Sequence, residues 1–393
     1  MLDLTPNTPN TNTNRVRVLF IGKRHYTHRD ALRERYGRIY QLPWHWAQGG
    51  TPTQLWLIDY HGLQREQAVD GKLSIDSTPM RRLGWLGKSA GIVFSRVRRN
   101  APSHIVASGD AYIGLLGWLL ARLTGACFVF DVYDKYDEFG GYRRPLGWNL
   151  FGFLLRHADR CWFASLRLLG QLGNAARGDC QVMNGIDPQH FRPLDQREAR
   201  ARLGLPADGS MVGYFGSLSI ERGTPDLIRA MQILSTQEVA PMLVLSGKME
   251  TPIPLDLPNV RYLGNLSHDA MPWALAAVDV VAVPYRVSAF LDAASSVKFG
   301  EVLACRRPLV ATRTPNFLSN FPIQAAELDA YLAEPGQPET LARAIDRQLR
   351  EPVLASVPTD MEWPTIARKA WASLRACKAC RRTTHTDDGM SLP

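Results

Sequence analysis

The chain has 393 residues, of which 45% are apolar and 21% are charged, and its formal net charge is +9. This composition is typical of a globular protein with two domains of ordinary size, and it excludes a wholly disordered chain. No apolar run approaches the roughly 18 residues that a membrane-spanning helix needs. The excess of Lys and Arg indicates an anionic partner, such as nucleic acid, a phosphorylated ligand or a lipid surface.

Residues 1–14 are rich in Thr, Asn and Pro, and we expect them to form a disordered leader. Short apolar runs then alternate with helical segments, which indicates a parallel, doubly wound sheet. The predicted strands cover residues 16–21, 55–59, 92–95, 104–107, 127–132 and 160–164, and the predicted helices cover residues 111–123 and 149–157. Residues 15–184 are therefore predicted to form one Rossmann-like domain.

Two strong turn signals, Asn-Gly and Asp-Pro, follow one another in residues 184–188. A second alternation comes after them, with predicted strands at 211–214, 242–245, 260–263, 278–283 and 309–311 and predicted helices at 224–234, 270–277, 297–304 and 339–349. We expect a second Rossmann-like domain over 185–362, a helix within 363–380 that packs back on the first domain, and a disordered tail over 381–393. Because open α/β sheets bind ligands beyond the carboxyl ends of their strands, the site is expected in a cleft between the domains.

Common phosphate- and metal-binding motifs are missing from the sequence. The first strand is followed by Gly22-Lys23-Arg24-His25 instead of the Gly-x-Gly-x-x-Gly of dinucleotide dehydrogenases. Neither a P-loop motif nor an internal Asp-x-Asp triplet is present. We therefore expect no metal ion and no cofactor, with phosphate charge neutralised by groups of the protein.

Cysteines stand at positions 127, 161, 180, 305, 377 and 380. Four of them are isolated in apolar surroundings, as expected of small buried side chains. Cys377 and Cys380 form a C-x-x-C pair, but a zinc site needs a second pair of ligands, which His385 alone does not supply. We expect this pair to be chemically idle and the protein to lie in a reducing cytoplasm.

Four segments in a fixed order resemble signatures of the GT-B glycosyltransferases, in particular family 4 (group 1). They are VMNGID at 182–187, FGSL and ERG within 215–223, VRYLG and VPY within 260–285, and SSVKFGE at 295–301. Bacterial exopolysaccharide transferases are similar, among them the membrane-associated xanthan-type glucuronosyltransferase. The resemblance implies a GT-B fold, in which two Rossmann-like domains face a cleft, and transfer of a hexose-type sugar from a UDP- or GDP-sugar. It also implies that residues 15–184 bind the acceptor and that residues 185–362 bind the nucleotide-sugar donor.

The segment SSVKFGE is predicted to begin a helix, with Ser295 and Ser296 before its first turn. Backbone amides and the positive dipole end of such a helix favour a phosphate group. Lys298 and Glu301 are three residues apart and share a face of the helix. Lys298 is therefore expected to bind phosphate, and the resemblance assigns Glu301 to the ribose hydroxyls. The alternative is an exposed Lys–Glu pair without a function.

Further donor contacts are implied by the resemblance. Gly216 and Ser217 begin the first loop of the donor domain, where many members carry a basic residue in place of Ser217. Arg222 stands at the position of a basic residue that binds the diphosphate. Tyr285 resembles an aromatic residue near the nucleotide, with simple packing as the alternative. In the first domain, Gly22 is expected to let a loop approach the phosphates closely.

The sequence departs from the family pattern at two places. Retaining members usually have two glutamates eight positions apart, and while the second matches Glu301, the first falls on Ala293. Asp292 is the candidate substitute. Arg306 stands where the family often has glycine.

Carboxylates follow the predicted strand at 127–132, which is a cleft position. Among them, Asp134 matches the proposed general base of xanthan-type inverting enzymes, which takes the proton of the acceptor hydroxyl. In a retaining enzyme, Asp134 would instead contact the acceptor or the donor sugar, and helix capping is the third interpretation. His25 is a weaker candidate.

We expect a metal-independent hexosyltransferase that retains the anomeric configuration. The alternatives are an inverting glucuronosyltransferase-like enzyme with Asp134 as base, a GT-B protein that binds sugar nucleotides without catalysis, and a sugar-nucleotide epimerase.

Basic and aromatic residues interleave in residues 80–100 and 141–157. Such a surface suits peripheral binding to anionic lipid, and a lipid-linked or saccharide acceptor in polysaccharide or glycolipid synthesis would explain it. Nucleic acid is not an expected partner, because no motif for its recognition accompanies the charges. We expect a bacterial, cytoplasmic protein bound to the cytoplasmic face of the inner membrane.

Overall fold

The computed structural model describes residues 16–26, 29–62, 64–80, 101–138, 142, 147–236, 240–253 and 257–378. The predicted leader, the predicted strand at 92–95 and the predicted tail lie outside these residues. Within the described ranges, two large sheets and their helices form the α/β fold that the alternating pattern predicts. No helix in these ranges is long and apolar enough to cross a membrane.

The first sheet lies in what we call the first domain. Its elements are β1 Val18–Lys23, β2 His25–Tyr26, β3 Arg29–Asp30, α1 Gly37–Gln48, β4 Thr53–Asp59, β5 Glu66–Asp70, β6 Leu73–Pro79, β7 His104–Ser108, α2 Ala111–Thr124, β8 Cys127–Val132, α3 Leu150–His157, β9 Arg160–Phe163, α4 Leu166–Leu172 and β10 Cys180–Gln181. The described strands lie in the order β10-β9-β8-β7-β1-β4-β6-β5, and β2 and β3 form a separate short hairpin. Neighbouring strands of the large sheet are parallel except β5, which runs antiparallel to β6.

The second sheet lies in what we call the second domain. Its elements are α5 Gln196–Arg202, β11 Met211–Phe215, α6 Thr224–Leu234, β12 Met242–Ser246, β13 Val260–Tyr262, α7 Met271–Ala277, β14 Val280–Val283, α8 Ala289–Ala293, α9 Val297–Ala304, β15 Leu309–Thr312, α10 Pro315–Asn320, α11 Pro322–Glu327, β16 Leu332–Ala333 and α12 Pro338–Arg350. The described strands are all parallel, in the order β13-β12-β11-β14-β15-β16. Every residue of β11, β14 and β15 is buried, which explains why these strands have continuous apolar sequences.

The amino-acid pattern does not reveal α1 or the β5–β6 hairpin. Pro43 lies inside α1, and an internal proline normally argues against a helix. The helix is held in place because Tyr40, Leu42 and Trp46 are buried against the first core. β5 is a polar edge strand without a fully buried residue, so it lacks the apolar alternation by which strands are recognised. The first sheet is consequently mixed and not wholly parallel.

The C-terminal helix, α13 Trp363–Ala376, lies against α1 of the first domain. Trp46 Nε1 of α1 donates to the Ala367 carbonyl at 2.9 Å, and Trp162 Nε1 of β9 donates to Ser373 Oγ at 3.0 Å. Trp363 and its apolar neighbours on this helix belong to the same core as the first sheet. The chain therefore leaves the second domain and ends on the first. The proposed limits of the two domains, at residues 184 and 362, stay a prediction.

Cys127 and Cys377 form a disulfide bond between β8 and the end of α13. The expectation that Cys127 is an isolated buried thiol and that Cys377 is chemically idle was therefore wrong. The two residues are 250 positions apart in the sequence, and only the docking of α13 brings them together. Disulfides are rare in a reducing cytoplasm, so this bond does not support the expectation, drawn from the cysteine pattern, that the protein lies in that compartment. Cys161, Cys180 and Cys305 are free thiols.

Arg306 has a backbone φ of 54°, in the left-handed region, just after the end of α9. A helix commonly ends with one residue in this conformation, and glycine is preferred there because it lacks a Cβ atom. The backbone at position 306 thus has the conformation that suits the glycine often found there in the family, although the residue here is Arg.

We expect Arg306→Gly to raise the free energy of unfolding by about 1 kcal/mol, because it relieves the left-handed strain. Urea denaturation measures the change. Arg306→Ala is the control, since it removes the same side chain but keeps the Cβ atom and should not stabilise. A glycine variant no more stable than the alanine variant would contradict the explanation.

Candidate active site in the interdomain cleft

The order of strands marks one switch point in each sheet. In the second sheet the order reverses between β11 and β14, and in the first sheet it reverses between β1 and β7. Ligands of doubly wound sheets bind beyond the carboxyl ends of the strands at such points. The predicted donor loop at Gly216 directly follows β11, and Tyr285 follows β14 by two residues. The switch point of the second sheet therefore coincides with the donor residues that the sequence suggested.

Gly216 lies directly beneath the side chain of Lys298. Its amide donates to the Ser246 carbonyl at 2.8 Å, which continues the pairing of β11 with β12. A Cβ atom at position 216 would lie 2.5 Å from Lys298 Cε and 2.9 Å from Lys298 Nζ. Only glycine therefore leaves room for the Lys298 side chain in its present position. Ser217 accepts a hydrogen bond on its carbonyl from Tyr214 at 2.9 Å, which fixes the loop.

The helix α9 begins where the SSVKFGE segment predicts, and it places Lys298 and Glu301 on one face. Ser296 is its N-cap residue, and Ser295 is buried with an Oγ atom that has no hydrogen-bond partner among the described residues. The Ser295 carbonyl accepts a hydrogen bond from Asn184 Nδ2 at 3.1 Å. A helix start with free amides and a nearby lysine can bind an anion.

Glu301 is half-buried and faces residues from both domains. Burial raises the pKa of its carboxyl above the usual value, and the nearby basic groups Lys298, Arg29 and His190 oppose that rise. The charge of Glu301 is also felt by Tyr36, whose ring meets that of His268 edge-on at 5.0 Å. Burial, together with repulsion from His190 and Arg29, lowers the pKa of His268 to about 4. The imidazole of His268 is therefore neutral near pH 7.

Arg222 lies at the opposite side of the donor loop. Its Nη1 atom donates to the Tyr285 hydroxyl at 3.2 Å, and its guanidinium lies 5.6 Å from the centre of the Tyr285 ring. Gly223, which follows, has a φ of 70° and lies so close to the Pro284 carbonyl that a side chain would overlap it. The arginine is thus held by a fixed turn. Tyr285 is buried, and its hydroxyl lies 3.5 Å from Ser296 Oγ.

Asp134 lies two residues beyond β8, and only 7% of its surface is exposed. Its Oδ2 atom accepts a hydrogen bond from the Tyr26 hydroxyl at 2.6 Å. Burial raises the pKa of Asp134 to about 6, although the Tyr26 hydrogen bond and the charges of Arg38 and Arg222 pull it down. Arg222 belongs to the second domain, so Asp134 lies within the electrostatic reach of the donor loop. A carboxylate with such a pKa is suited to accept a proton near neutral pH.

Two functional candidates do not stand out in the sequence, namely Tyr26 and Arg38. Arg38 forms a buried ion pair with Asp131, with Nη2–Oδ1 at 2.6 Å, and its Nη1 donates to Asn184 Oδ1 at 3.2 Å. The signal in the sequence is weak: a tyrosine after the first strand, and an arginine in a helix that contains proline. Both side chains come near Asp134 because β1 and β8 lie on either side of β7 and α1 packs against β1.

The candidate Asp292 pairs with a residue of the first domain that is not in this group. Asp292 is buried on α8, and its Oδ2 atom is 3.8 Å from Arg167 of the first domain. Burial raises the pKa of Asp292. Ala293 packs in the core of the first domain, and its carbonyl accepts a hydrogen bond from Ser165 at 2.6 Å. An acidic side chain at position 293 would therefore enter an apolar core.

Gly22 lies inside β1 and not in a loop, because the strand continues to Lys23. The close approach that this glycine permits is to Ile39 of α1, whose methyl group would overlap a Cβ atom there. The expectation that Gly22 lies in a loop near the phosphates was therefore wrong, because the residue lies in a strand that packs against α1. His25 lies on β2, with Nε2 3.6 Å from Asp59 and its ring edge-on to His61 at 5.4 Å.

Comparison with known proteins gives an independent description. Residues 209–351 match the family model of the glycosyl transferases group 1. The chain is 24% identical over 366 residues to the 2-deoxystreptamine glucosyltransferase of Streptomyces kanamyceticus, which covers 81% of this chain and 90% of that enzyme. It is 30% identical over 139 residues to a GDP-mannose-dependent phosphatidylinositol monomannoside mannosyltransferase of Corynebacterium glutamicum, over 33% of this chain and 36% of that enzyme.

Solved structures share the fold over nearly the whole chain. Sucrose-phosphate synthase of Thermosynechococcus elongatus aligns with a TM-score of 0.65 at 17% identity, over 91% of this chain and 98% of that one. The Anabaena protein HepE in complex with UDP aligns with a TM-score of 0.66 at 16% identity, over 92% of this chain and 100% of that one.

We expect Lys298→Ala and Glu301→Ala each to weaken the binding of a nucleotide sugar by more than about tenfold, because each variant removes a charged hydrogen-bonding group. Isothermal titration calorimetry with UDP and with GDP measures the affinity. Glu339→Ala, in the first turn of α12, is the control and should bind as the wild type does. Wild-type affinity in both site variants would show that the nucleotide binds elsewhere.

Proposed function

We propose that this protein transfers a hexosyl unit from a UDP- or GDP-sugar to a hydroxyl group of a lipid-linked or saccharide acceptor. The chain is a glycosyltransferase of the GT-B fold that uses a nucleotide sugar, and its second domain is of the group 1 type. Asp134 of the first domain acts as the general base. The observation that carries this proposal is the buried Asp134 carboxylate, which faces Arg222 of the donor loop across the cleft.

The donor end of the site provides cations and amides for a diphosphate. Lys298 lies over Gly216, Arg222 is held by Tyr285, and the Tyr285 hydroxyl lies 3.5 Å from Ser296, the N-cap residue of α9. Negative charge grows on the leaving diphosphate as the glycosidic bond breaks, and preorganised cations stabilise that charge. Glu301 accepts hydrogen bonds from the ribose hydroxyls in this arrangement. No step of this scheme calls for a metal ion.

The acceptor end provides the base. The acceptor hydroxyl attacks the anomeric carbon while its proton moves to the Asp134 carboxylate, and the bond to the diphosphate breaks. A direct attack of this kind inverts the anomeric configuration. Inversion is favoured over the expected retention because position 293 is an alanine packed in a core and Asp292 faces Arg167.

Asp134→Asn should lower kcat by about 10²- to 10⁴-fold while the affinity for the nucleotide sugar stays unchanged, because only the proton acceptor is lost. In the wild type, kcat/KM should fall below about pH 6, where the carboxyl of Asp134 becomes protonated. Initial rates of nucleotide release, measured from pH 4.5 to 8.5, test both statements. Asp208→Asn, at an exposed loop position of the second domain, is the matched control.

The anomeric configuration of the product decides the stereochemistry. ¹H NMR of the transferred sugar should show inversion relative to the donor. Retention would contradict the role of Asp134 as a base. Asp292, the candidate substitute for the first glutamate of retaining members, would then be the next residue to test.

A lipid-linked acceptor at a membrane surface is supported by the surface of α2. Tyr112, Leu119 and Leu123 are 44%, 46% and 70% exposed. They are spaced seven and four residues apart, so they share one face of the helix. Arg122 lies in the last turn of α2, and Arg156 lies in the last turn of the neighbouring α3. An exposed apolar face beside cations suits the surface of an anionic bilayer.

The double variant Leu119→Ser/Leu123→Ser should bind vesicles of anionic phosphatidylglycerol less tightly by at least about tenfold, since two apolar contacts with the acyl region are lost. Co-sedimentation with vesicles measures the bound fraction. Leu354→Ser is the matched control, because Leu354 is 50% exposed on the second domain. Equal loss in the control and the double variant would show that α2 is not the contact surface.

A further inference from the structure

We propose that Tyr26 is the positioning residue of the base Asp134, and that the short hairpin β2–β3 serves to hold it there. This inference rests on the proposed role of Asp134. Tyr26 itself touches neither the donor nor the reacting atoms. It acts through one hydrogen bond, which holds the carboxylate in place and leaves the second oxygen to take the proton of the acceptor.

The contact between Tyr26 and Asp134 is short and sheltered. The Tyr26 hydroxyl donates to Asp134 Oδ2 at 2.6 Å, which is the length of a strong hydrogen bond to a charged acceptor. The ring of Tyr26 meets the ring of Tyr133 edge-on, with centres 4.6 Å apart. Burial and the charge of Asp134 raise the pKa of Tyr26 well above 10. The tyrosine therefore stays protonated and remains a donor at every working pH.

The backbone of Tyr26 is fixed by a buried arginine at the root of the hairpin. Arg24 is only 3% exposed. Its guanidinium pairs with Asp30 at 2.9 Å, with Asp59 at 3.2 Å and with Glu66 at 2.7 Å. Because Asp30 is opposite His25 in the hairpin and Tyr26 is opposite Arg29, this cluster also sets the register of β2 against β3. A buried arginine with three carboxylates is costly to rearrange, so the hairpin has one position.

The other groups that face Asp134 come from several elements. Arg38 approaches from α1, Arg222 from the second domain, and Tyr133 and Tyr136 from the segment that carries Asp134. Tyr136 donates to the Asp131 carbonyl at 2.8 Å and so fixes the turn after β8. Both arginines act on the carboxylate through their charge, whereas Tyr26 donates a hydrogen bond to it. Its removal should therefore change both the orientation and the proton affinity of the carboxylate.

The test is the pH profile of Tyr26→Phe. Phenylalanine keeps the ring beside Tyr133 and removes only the donor. The loss of a hydrogen bond to the charged form makes the carboxylate easier to protonate, so the acid limb of kcat/KM should move upward by about one pH unit. The affinity for the nucleotide sugar should stay unchanged. Tyr60→Phe is the matched control, because Tyr60 donates to Asp110, the N-cap residue of α2, at 3.3 Å. Its acid limb should stay at the wild-type position.

A second substitution keeps the test decisive if Tyr26→Phe lowers the melting temperature. Replacement of Tyr26 by 3-fluorotyrosine preserves the ring and the hydroxyl but makes the phenol more acidic and a stronger donor. The acid limb should then move to lower pH. An acid limb that stays in place in both variants would overturn the proposal.

The same measurements separate this inference from the proposed function. Full activity of Asp134→Asn would mean that Asp134 is not the base, and both ideas would fall. Loss of activity in Asp134→Asn with an unmoved profile in Tyr26→Phe would remove only the role of Tyr26. In the Asp134→Asn background, Tyr26→Phe should cost no further activity, since its effect passes through the carboxylate.

Discussion

The buried ion pair between Arg38 and Asp131 is the interaction on which the site depends. Arg38 contacts both oxygens of Asp131, at 2.6 and 2.9 Å, and Ser108 donates to the same carboxylate at 2.6 Å. Loss of one partner of a buried pair costs several kcal/mol, about 3–5 in measured cases, because the other charge is left without compensation. This pair therefore holds the end of β8, and with it Asp134 three residues later, in one position relative to α1.

The same arginine also ties the first domain to the donor loop. Arg38 donates to Asn184 Oδ1 at 3.2 Å, and Asn184 donates in turn to the Ser295 carbonyl at 3.1 Å. Asp131, three residues before Asp134, is thus connected to the start of α9 by a chain of three polar contacts. Asn184 lies in the VMNGID segment between the domains, where its amide serves as both acceptor and donor. That double use explains why an amide side chain suits this position better than a carboxylate.

Charged groups of the two domains influence each other across the cleft. Lys298 and Arg222 lie on the donor side, and Asp134 lies on the other side, where the charge of Arg222 lowers the pKa of its carboxyl. In the proposed reaction, an anionic diphosphate at Arg222 would offset that effect and make the carboxylate a stronger base. The first domain also reaches Glu301, since Arg29 and Tyr36 lie near it.

The sequence by itself determined the elements that depend on local pattern. The strand Cys127–Val132 and the helices Thr224–Leu234 and Val297–Ala304 agree with their predicted bounds, because continuous apolar runs and a serine-rich helix start are written in neighbouring residues. Lys298 and Glu301 were recognisable for the same reason, as two residues one helical turn apart. The tertiary structure alone decided everything that joins distant residues. Tyr26 reaches Asp134 over 108 positions, Cys127 bonds Cys377 over 250, and Arg38 meets Asn184 over 146. Such pairs leave no periodic trace in a single sequence, since they arise from the order of strands in a sheet and from the return of α13 to the first domain.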